Sequence, residues 1–276
     1  MPDWKLAYHA NCWGPLGGHP VGVTSIGQLT YMTFADMALA FEDIGRAGYE
    51  GVEIFDGNLF EYEDKPEALK SILDNNGLEL LAVYAGANFI FPDILSEELK
   101  KIQKLADFAA TFGVSHLVVG GGAKRLNGPL PDDRKHTGDG LENVVEIANK
   151  AGLQAHYHPH LTTLAEGPDD IADIFAHTSI HFCPDTAHLA AAGGDPAALI
   201  RRWAARISYV HLKGWQREPF AFTPLDEGDL DIGACIDALK ETDFKGWIAT
   251  ELDSWPDPYA GAAQSRAFLS RQIGQA

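Results

Sequence analysis

Short runs of apolar and β-branched residues recur along the chain, each followed by a longer segment whose apolar positions return every three or four residues. The short runs are KLAYHAN, GVEIF, LELLAVYAG, HLVVGGG, LQAHYHPH, IHFCPDTAH, ISYVHLKG and WIATELD, and their length and composition predict strands. Segments such as FADMALAFEDIGRAG, EELKKIQKLADFAATFG and PAALIRRWAAR have the spacing of a single buried helix face. The punctuation agrees. Gly48, Gly77, Gly113 and Gly152 each close a helical pattern just before a strand, as helix C-caps do. Pro66, Pro168 and Pro196 occupy first-turn positions, and Asp195 is suited to cap the helix it precedes.

Eight strands alternating with eight helices predict a parallel sheet, and eight repeats predict its closure into a single-domain (β/α)8 barrel over residues 1–276. An open doubly wound sheet is the runner-up, but no GxGxxG or P-loop follows the first strand. Two long connections, 11–32 and 214–230, follow strands one and seven, at the barrel end where loops build active sites. Trp13, Trp215, Phe220 and Phe222 lie in them, as pocket walls or as loop anchors, and Trp13 and Trp215 are the candidates for substrate contact.

A barrel interior is apolar, so polar residues at the C-terminal ends of its strands carry the information. They recur strand by strand: His9 and Asn11, Glu53, His158 and His160, Asp185 and His188, His211 and Lys213, Glu251 and Asp253. Burying unpaired carboxylates costs several kcal/mol each, on the order of 2–7 for a polar group without a partner, so a cation among them is the cheaper arrangement. Oxygen and nitrogen donors converging on one axis suit Mn²⁺, Fe²⁺, Co²⁺ or Mg²⁺. The stretch AHYHPH sets His156, His158 and His160 at alternate positions, which would place them on one strand face.

Charge narrows the partners. With 39 acidic and 21 basic residues the net charge is −18, which repels phosphate backbones and argues against nucleic acid. The three cysteines, Cys12, Cys183 and Cys235, form no metal-finger or disulfide pattern. No apolar run reaches the roughly 18 residues of a membrane span, and no signal peptide is evident. A cytoplasmic location is expected, with assembly into a homo-oligomer left open. GGG at 120–122, followed by Lys124 and Arg125, is a weak candidate for a phosphate site at the rim.

PDTAHLAAAGGDPAALI, YVHLKGW, PLDEGDLDI and ATELD resemble the xylose-isomerase-like TIM barrels of sugar isomerases, epimerases and dehydratases. With HPHLTTLAE, they are most similar to the inosose (keto-inositol) dehydratase branch. The resemblance is strongest over residues 152–255. It implies one divalent metal ion, Mn²⁺ by preference with Mg²⁺, Co²⁺, Fe²⁺ or Zn²⁺ as alternatives, bound by Asp185, His211, Glu251 and a carboxylate from the strand-five region. Where isomerases carry a strand-five Glu this chain has His158, so Glu166, which matches the dehydratase-like branch, is the first choice as fourth ligand and His158 the second.

The resemblance further implies enolisation of a keto-sugar or keto-cyclitol. His158, His160, His188 and Lys213 are assigned to acid–base work and hydroxyl binding, and Glu53 and His9 to substrate contact. Dehydration is favoured over isomerisation or epimerisation, over β-elimination of 3-keto-glycosides, and over a non-catalytic sugar-binding barrel. Loss of the usual strand-five Glu weakens the symmetrical two-carboxylate scheme of an epimerase.

Overall fold

The alternation of elements is realised in full in a computed structural model that describes residues 2, 4–18, 25–86 and 88–274. The barrel strands are β1 (Leu6–His9), β2 (Gly51–Phe55), β3 (Glu79–Gly86), β4 (His116–Gly120), β5 (Gln154–His158), β6 (His181–Phe182), β7 (Tyr209–Leu212) and β8 (Trp247–Thr250). They run parallel in the order β6-β5-β4-β3-β2-β1-β8-β7. β6 is only two residues long, and the ring closes just beyond it. A parallel bridge joins Asp185 to His211, and the His211 N–H donates to Pro184 O at 3.0 Å. Two residues that the sequence nominates as metal ligands are therefore also the seam of the barrel.

Around the ring lie α1 (Met37–Arg46), α2 (Pro66–Asn76), α3 (Pro92–Ala110), α4 (Asp133–Ala151), α5 (Pro168–Phe175), α6 (Pro196–Trp203), α7 (Ile232–Glu241) and α8 (Pro258–Ile273). Their boundaries follow local chemistry. Asp195 accepts the Ala198 N–H at 3.0 Å, and Pro196 spends its missing donor where a helix has no use for one. Gly77 and Gly152 take left-handed φ of 64° and 81°, which turns the chain from a helix directly into β3 and β5.

Successive strand residues face opposite layers. Leu6, Val52, Ile54, Leu80, Val83 and Leu117 pack outward against helices, whereas Ala7, Leu81, Val118, Cys183 and Ala249 fill the barrel interior. At about 1.5–3 kcal/mol for each fully buried aliphatic side chain, this double layer dominates stability. Among the described residues no helix is long and apolar enough to cross a membrane. The three cysteines are free and buried.

The barrel axis is not wholly apolar. At its floor His116 Nδ1 lies 2.9 Å from His156 Nε2, and the His116 ring stacks on Tyr209 with centroids 4.9 Å apart. His156 is thus a floor residue beneath the pocket, one pleat below His158. Burial pushes the His116 imidazolium down to about 4. A histidine that must stay neutral when folded, but titrates near 6.5 when unfolded, contributes stability above pH 6.5 that is lost as pH falls towards 4. The loss amounts to up to about 3 kcal/mol at 1.36 kcal/mol per pH unit. The thermal midpoint is therefore expected to drop between pH 6.5 and 4, and to drop less in His116→Phe. An identical acid limb in the variant would remove His116 from this role.

Candidate metal centre

The site is built from strand ends. β5 delivers His158, the segment after β6 delivers Asp185, β7 delivers His211, and the residue after β8 is Glu251. All four are buried, and one donor atom from each lies within 4.8 Å of the other three. His211 Nδ1 is 2.6 Å from Glu251 Oε2, and His158 Nε2 is 3.6 Å from Asp185 Oδ2. His158 Nε2, Asp185 Oδ2, His211 Nδ1 and Glu251 Oε2 are buried without a well-formed hydrogen bond. Converging donors of this kind cost free energy unless a cation joins them, so these residues fit a divalent metal ion.

The electrostatics agree. Burial opposes the charge of Asp185, but His188 and Lys213 overcome it and hold the carboxyl below its usual range. Glu251 is likewise held well down by Lys213 and His211 against the cost of burial. Burial also opposes a charged His211, yet Cys183, Glu53 and Glu251 push its imidazolium far above the ordinary value. The centre draws positive charge to itself.

Glu53 supports this centre from below. Its Oε2 accepts from His211 Nε2 at 2.8 Å and from the Tyr209 hydroxyl at 2.5 Å, so a polar column runs from the His116–His156 floor through Tyr209 and Glu53 to His211 and Glu251. Glu53, expected from the sequence to meet substrate, is fully buried, is absent from the cavity lining and faces His211. Such carboxylate–histidine–metal supports typically cost about 10–100-fold in metal affinity when removed. Glu53→Gln, which keeps the shape and loses the charge, is expected to weaken binding by that factor with the fold intact. Competition with a chromophoric chelator measures it, and wild-type affinity would show that His211 needs no such support.

Above the centre opens a cavity of about 550 Å³. One wall is aromatic: Phe55 meets Tyr84 edge-on at 5.5 Å, and Tyr31 meets Tyr84 at 5.8 Å. His9, His158, His160, Thr163, Glu251 and Asp253 also line the cavity, with His158 edge-on to Tyr84 at 5.5 Å. Residues 29–33, which bring Tyr31 and Met32 to this cavity, are stapled from behind. Lys101 Nζ donates to Leu29 O at 2.7 Å, and Asp56 Oδ1 accepts the Tyr31 N–H at 2.8 Å. Part of the same connection, residues 19–24, lies outside the described residues.

His160 and His188 stand close together, with ring centroids 3.8 Å apart and the planes tilted by 43°. Burial, with His158 and Lys213 nearby, pushes the His160 imidazolium down, and His188 is pushed well down by burial although Asp185 opposes the shift. Both are neutral rings near pH 7. Lys213 is fully buried, 2.8 Å from Asp253 Oδ1, 3.1 Å from Glu251 Oε1 and 3.4 Å from His188 Nε2. Burial works against its charge, but Asp253, Glu251 and Asp185 prevail and raise it above the lysine range. Lys213 is thus held as an ammonium ion that donates to its carboxylate neighbours.

Other expectations need correcting. Glu166 pairs with Lys124 at 3.2 Å, is partly exposed, and is not part of the four-residue group, in which His158 takes the fourth place. Trp13 donates to Asp43 at 2.9 Å and packs on Tyr8, and Trp215 is buried under its own loop beside Phe220; neither lines the cavity. Of the glycines at 120–122, the first has a packing role. A Cβ on Gly120 would fall 1.7 Å from the Tyr84 hydroxyl oxygen, so the glycine is there to admit Tyr84. Arg125 is held by Asp133 at 2.8 Å, and Lys124 by Glu166.

Asn11 and Asp253 acquire definite roles. The Asn11 amide donates to Glu251 Oε1 at 3.1 Å and to Asp253 Oδ1 at 3.0 Å, fixing both carboxylates. Tyr209 went unnoticed in the sequence, although its position two residues before His211 places it on the same strand face.

Residues 41–272 match the family model described as a xylose isomerase-like TIM barrel. The chain is 26% identical over 267 residues to a protein named inosose dehydratase from Geobacillus kaustophilus, covering 84% of this chain and 85% of that protein. Among solved structures it is similar to D-psicose 3-epimerase from Clostridium cellulolyticum H10, with TM-score 0.74 and 16% identity over 98% of each chain. It is also similar to a probable 3-DHS dehydratase from Bacillus anthracis, with TM-score 0.72 and 16% identity over 96% of this chain and 98% of that one. At these identities the two structures bear on the fold alone.

Proposed function

The chain belongs to the xylose isomerase-like TIM barrel family, and on that premise we propose that it is a divalent-metal-dependent lyase that dehydrates a keto-cyclitol or a related keto-sugar. The observation that carries this reading is the join of two features. Four buried donors converge beneath an aromatic-walled cavity, and a pair of neutral imidazoles stands beside them. Similarity to a protein named inosose dehydratase supports the same chemistry.

A bound cation would supply Lewis acidity to a substrate carbonyl and the adjacent hydroxyl. The protein does the rest. Phe55, Tyr84 and Tyr31 offer apolar faces to the C–H side of a ring, and Asp253 offers a carboxylate oxygen to its hydroxyls. His160, neutral and lining the cavity, is placed to take the proton α to the carbonyl. Lys213 donates to His188 Nε2, which leaves that ring's own proton on Nδ1. With its rings 3.8 Å apart, the pair can return a proton to a departing β-hydroxyl on the side from which the first was taken.

Dehydration needs acid–base capacity on one side of the substrate. Epimerisation needs removal on one face and delivery on the other, whereas a lyase needs a proton delivered to the departing hydroxyl, which two adjacent imidazoles can supply. The test is incubation with 2-keto-myo-inositol, a ketohexose and a 3-keto-glucoside in D₂O with Mn²⁺ or Co²⁺. Loss of water with appearance of an enone or diketone is expected from the first. Solvent deuterium in an epimerised product without loss of water would replace the lyase reading with an epimerase. No exchange with any of the three would point to a binding protein.

A further inference from the structure

The part of the cavity wall that carries Tyr31 and Met32 is thin. A second cavity, of about 630 Å³, opens behind it, and Thr30, Met32 and Lys101 line both. With space on either side, packing alone does not hold residues 29–33, and polar contacts take over. Lys101 on α3 donates to Leu29 O at 2.7 Å. The short helix Asp56–Phe60 supplies the rest. Asp56 Oδ1 accepts the Tyr31 N–H at 2.8 Å, the Gly57 N–H donates to Tyr31 O at 2.9 Å, and Asn58 Oδ1 accepts the Thr33 N–H at 2.9 Å. The Tyr31 ring is seated as closely: a Cβ on Gly86 would fall 2.7 Å from its Cε2.

The groups behind this wall are costly to bury. Asp56, Glu98 and Lys101 are all inside the protein. Lys101 Nζ lies 3.5 Å from Glu98 Oε2 and 4.0 Å from Asp56 Oδ2, and neither oxygen has a hydrogen-bond partner. One ammonium thus faces two carboxylates. Burial pushes the Asp56 carboxyl up to about 7 against the pull of Lys101 and of its backbone donors. Well-packed apolar side chains often fill such a place at no loss of stability. What they could not provide is a donor for Leu29 O and an acceptor for the Tyr31 N–H.

Resting on the reading of this cavity as the substrate site, we infer that Lys101 is a positioning residue: from its buried cluster with Asp56 and Glu98 it fixes residues 29–33, sets Tyr31 against the substrate ring, and so governs substrate affinity without entering the chemistry. Its partners Leu29, Asp56 and Glu98 all stand outside the four-donor group, so its removal leaves the metal centre intact.

Lys101→Met keeps the apolar stem and removes the donor. A hydrogen bond from a charged group shifts an equilibrium by about tenfold or more, so KM for 2-keto-myo-inositol and the calorimetric Kd for myo-inositol are expected to rise by about that factor. With kcat and Co²⁺ affinity held near the wild-type values, this is the pattern of lost binding and not of lost chemistry. Amide hydrogen exchange is expected to quicken in residues 25–33 while the barrel strands stay protected. Tyr31→Ala, alone and combined with Lys101→Met, completes a double-mutant cycle, and because Lys101 acts through Tyr31 the double variant should bind no more weakly than Tyr31→Ala. Should Lys101→Met fail to fold, its two carboxylates stranded, the same measurements apply to Lys101→Met joined with Asp56→Asn and Glu98→Gln, which leaves no charge to neutralise. Unchanged exchange at residues 25–33, faster exchange there with unchanged KM and Kd, or additive losses in the cycle would each overturn the inference. Wild-type protein that neither turns over nor binds these probes would overturn the dehydratase reading instead, and exchange at residues 25–33 would still decide whether Lys101 holds the wall.

Discussion

Asp185→Asn is expected to release the metal ion and stop turnover while the barrel stays folded. The substitution is nearly isosteric, and the two jobs of Asp185 separate by atom. Oδ1 accepts the His188 N–H at 2.8 Å and caps the short helix Thr186–Ala191, a role that an amide oxygen can keep. The backbone bridge to His211 that closes the barrel does not involve the side chain at all. Oδ2 is the atom that faces His158 and the other donors. An amide nitrogen in its place has no lone pair to give and carries no charge.

Removing a direct ligand should cost more than the roughly hundredfold upper range for removing a ligand's support. Two measurements check it: metal content after gel filtration, and the thermal midpoint with and without added metal. A ligand at 100 times its Kd stabilises the folded state by about 2.7 kcal/mol, so wild-type protein should show a clear upward shift that the variant lacks. Stoichiometric metal in Asp185→Asn would place the ion elsewhere.

Most of the scaffold was legible because it depends on local rules. Gly77, Gly152, Asp195 and Pro196 announce helix ends through φ preference, side-chain capping and the missing proline donor, all properties of a few adjacent residues. The convergence of Asp185, His211 and Glu251 was legible for a related reason: barrel symmetry sends every strand end to the same rim.

What the sequence concealed depends on which partner stands across the barrel. Glu53 reads as a rim carboxylate until the register of β2 against β1 places it beneath His211, some 158 residues away in sequence. Glu166 and His158 are separated by a loop whose path no periodicity dictates, so motif likeness alone could not place His158 among the four converging donors and Glu166 beside Lys124. Trp13 and Trp215 lie in long connections, where an aromatic ring serves as an anchor as readily as a pocket wall.

Lys213→Met is expected to be the most destabilising single change at the site, and the one that metal most nearly repairs. Lys213 is fully buried, and its ammonium lies 2.8 Å from Asp253, 3.1 Å from Glu251 and 4.0 Å from Asp185. Methionine preserves the length of the stem and its packing against Phe222 but leaves the carboxylates without their cation. Breaking a buried ion pair from one side typically costs about 3–5 kcal/mol, a large share of the stability of an ordinary domain.

The sign of the pH dependence should also reverse. In the wild type Glu251 is held well below the usual carboxylate range, Lys213 and His211 outweighing burial. Its contribution is therefore present above the unfolded-state value near 4.3 and is lost as pH falls through the lower folded one. Without Lys213, burial prevails and the folded protein binds protons more readily than the unfolded chain. Stability then falls as pH rises from about 4.3 towards neutrality. An added dication would take over the neutralising role at Glu251 and Asp185, so metal should raise the thermal midpoint more in Lys213→Met than in the wild type. Thermal melts from pH 4 to 8, with and without Co²⁺, test all three consequences together. A variant as stable as the wild type, with the same acid limb, would mean that the carboxylates are neutralised by something other than Lys213.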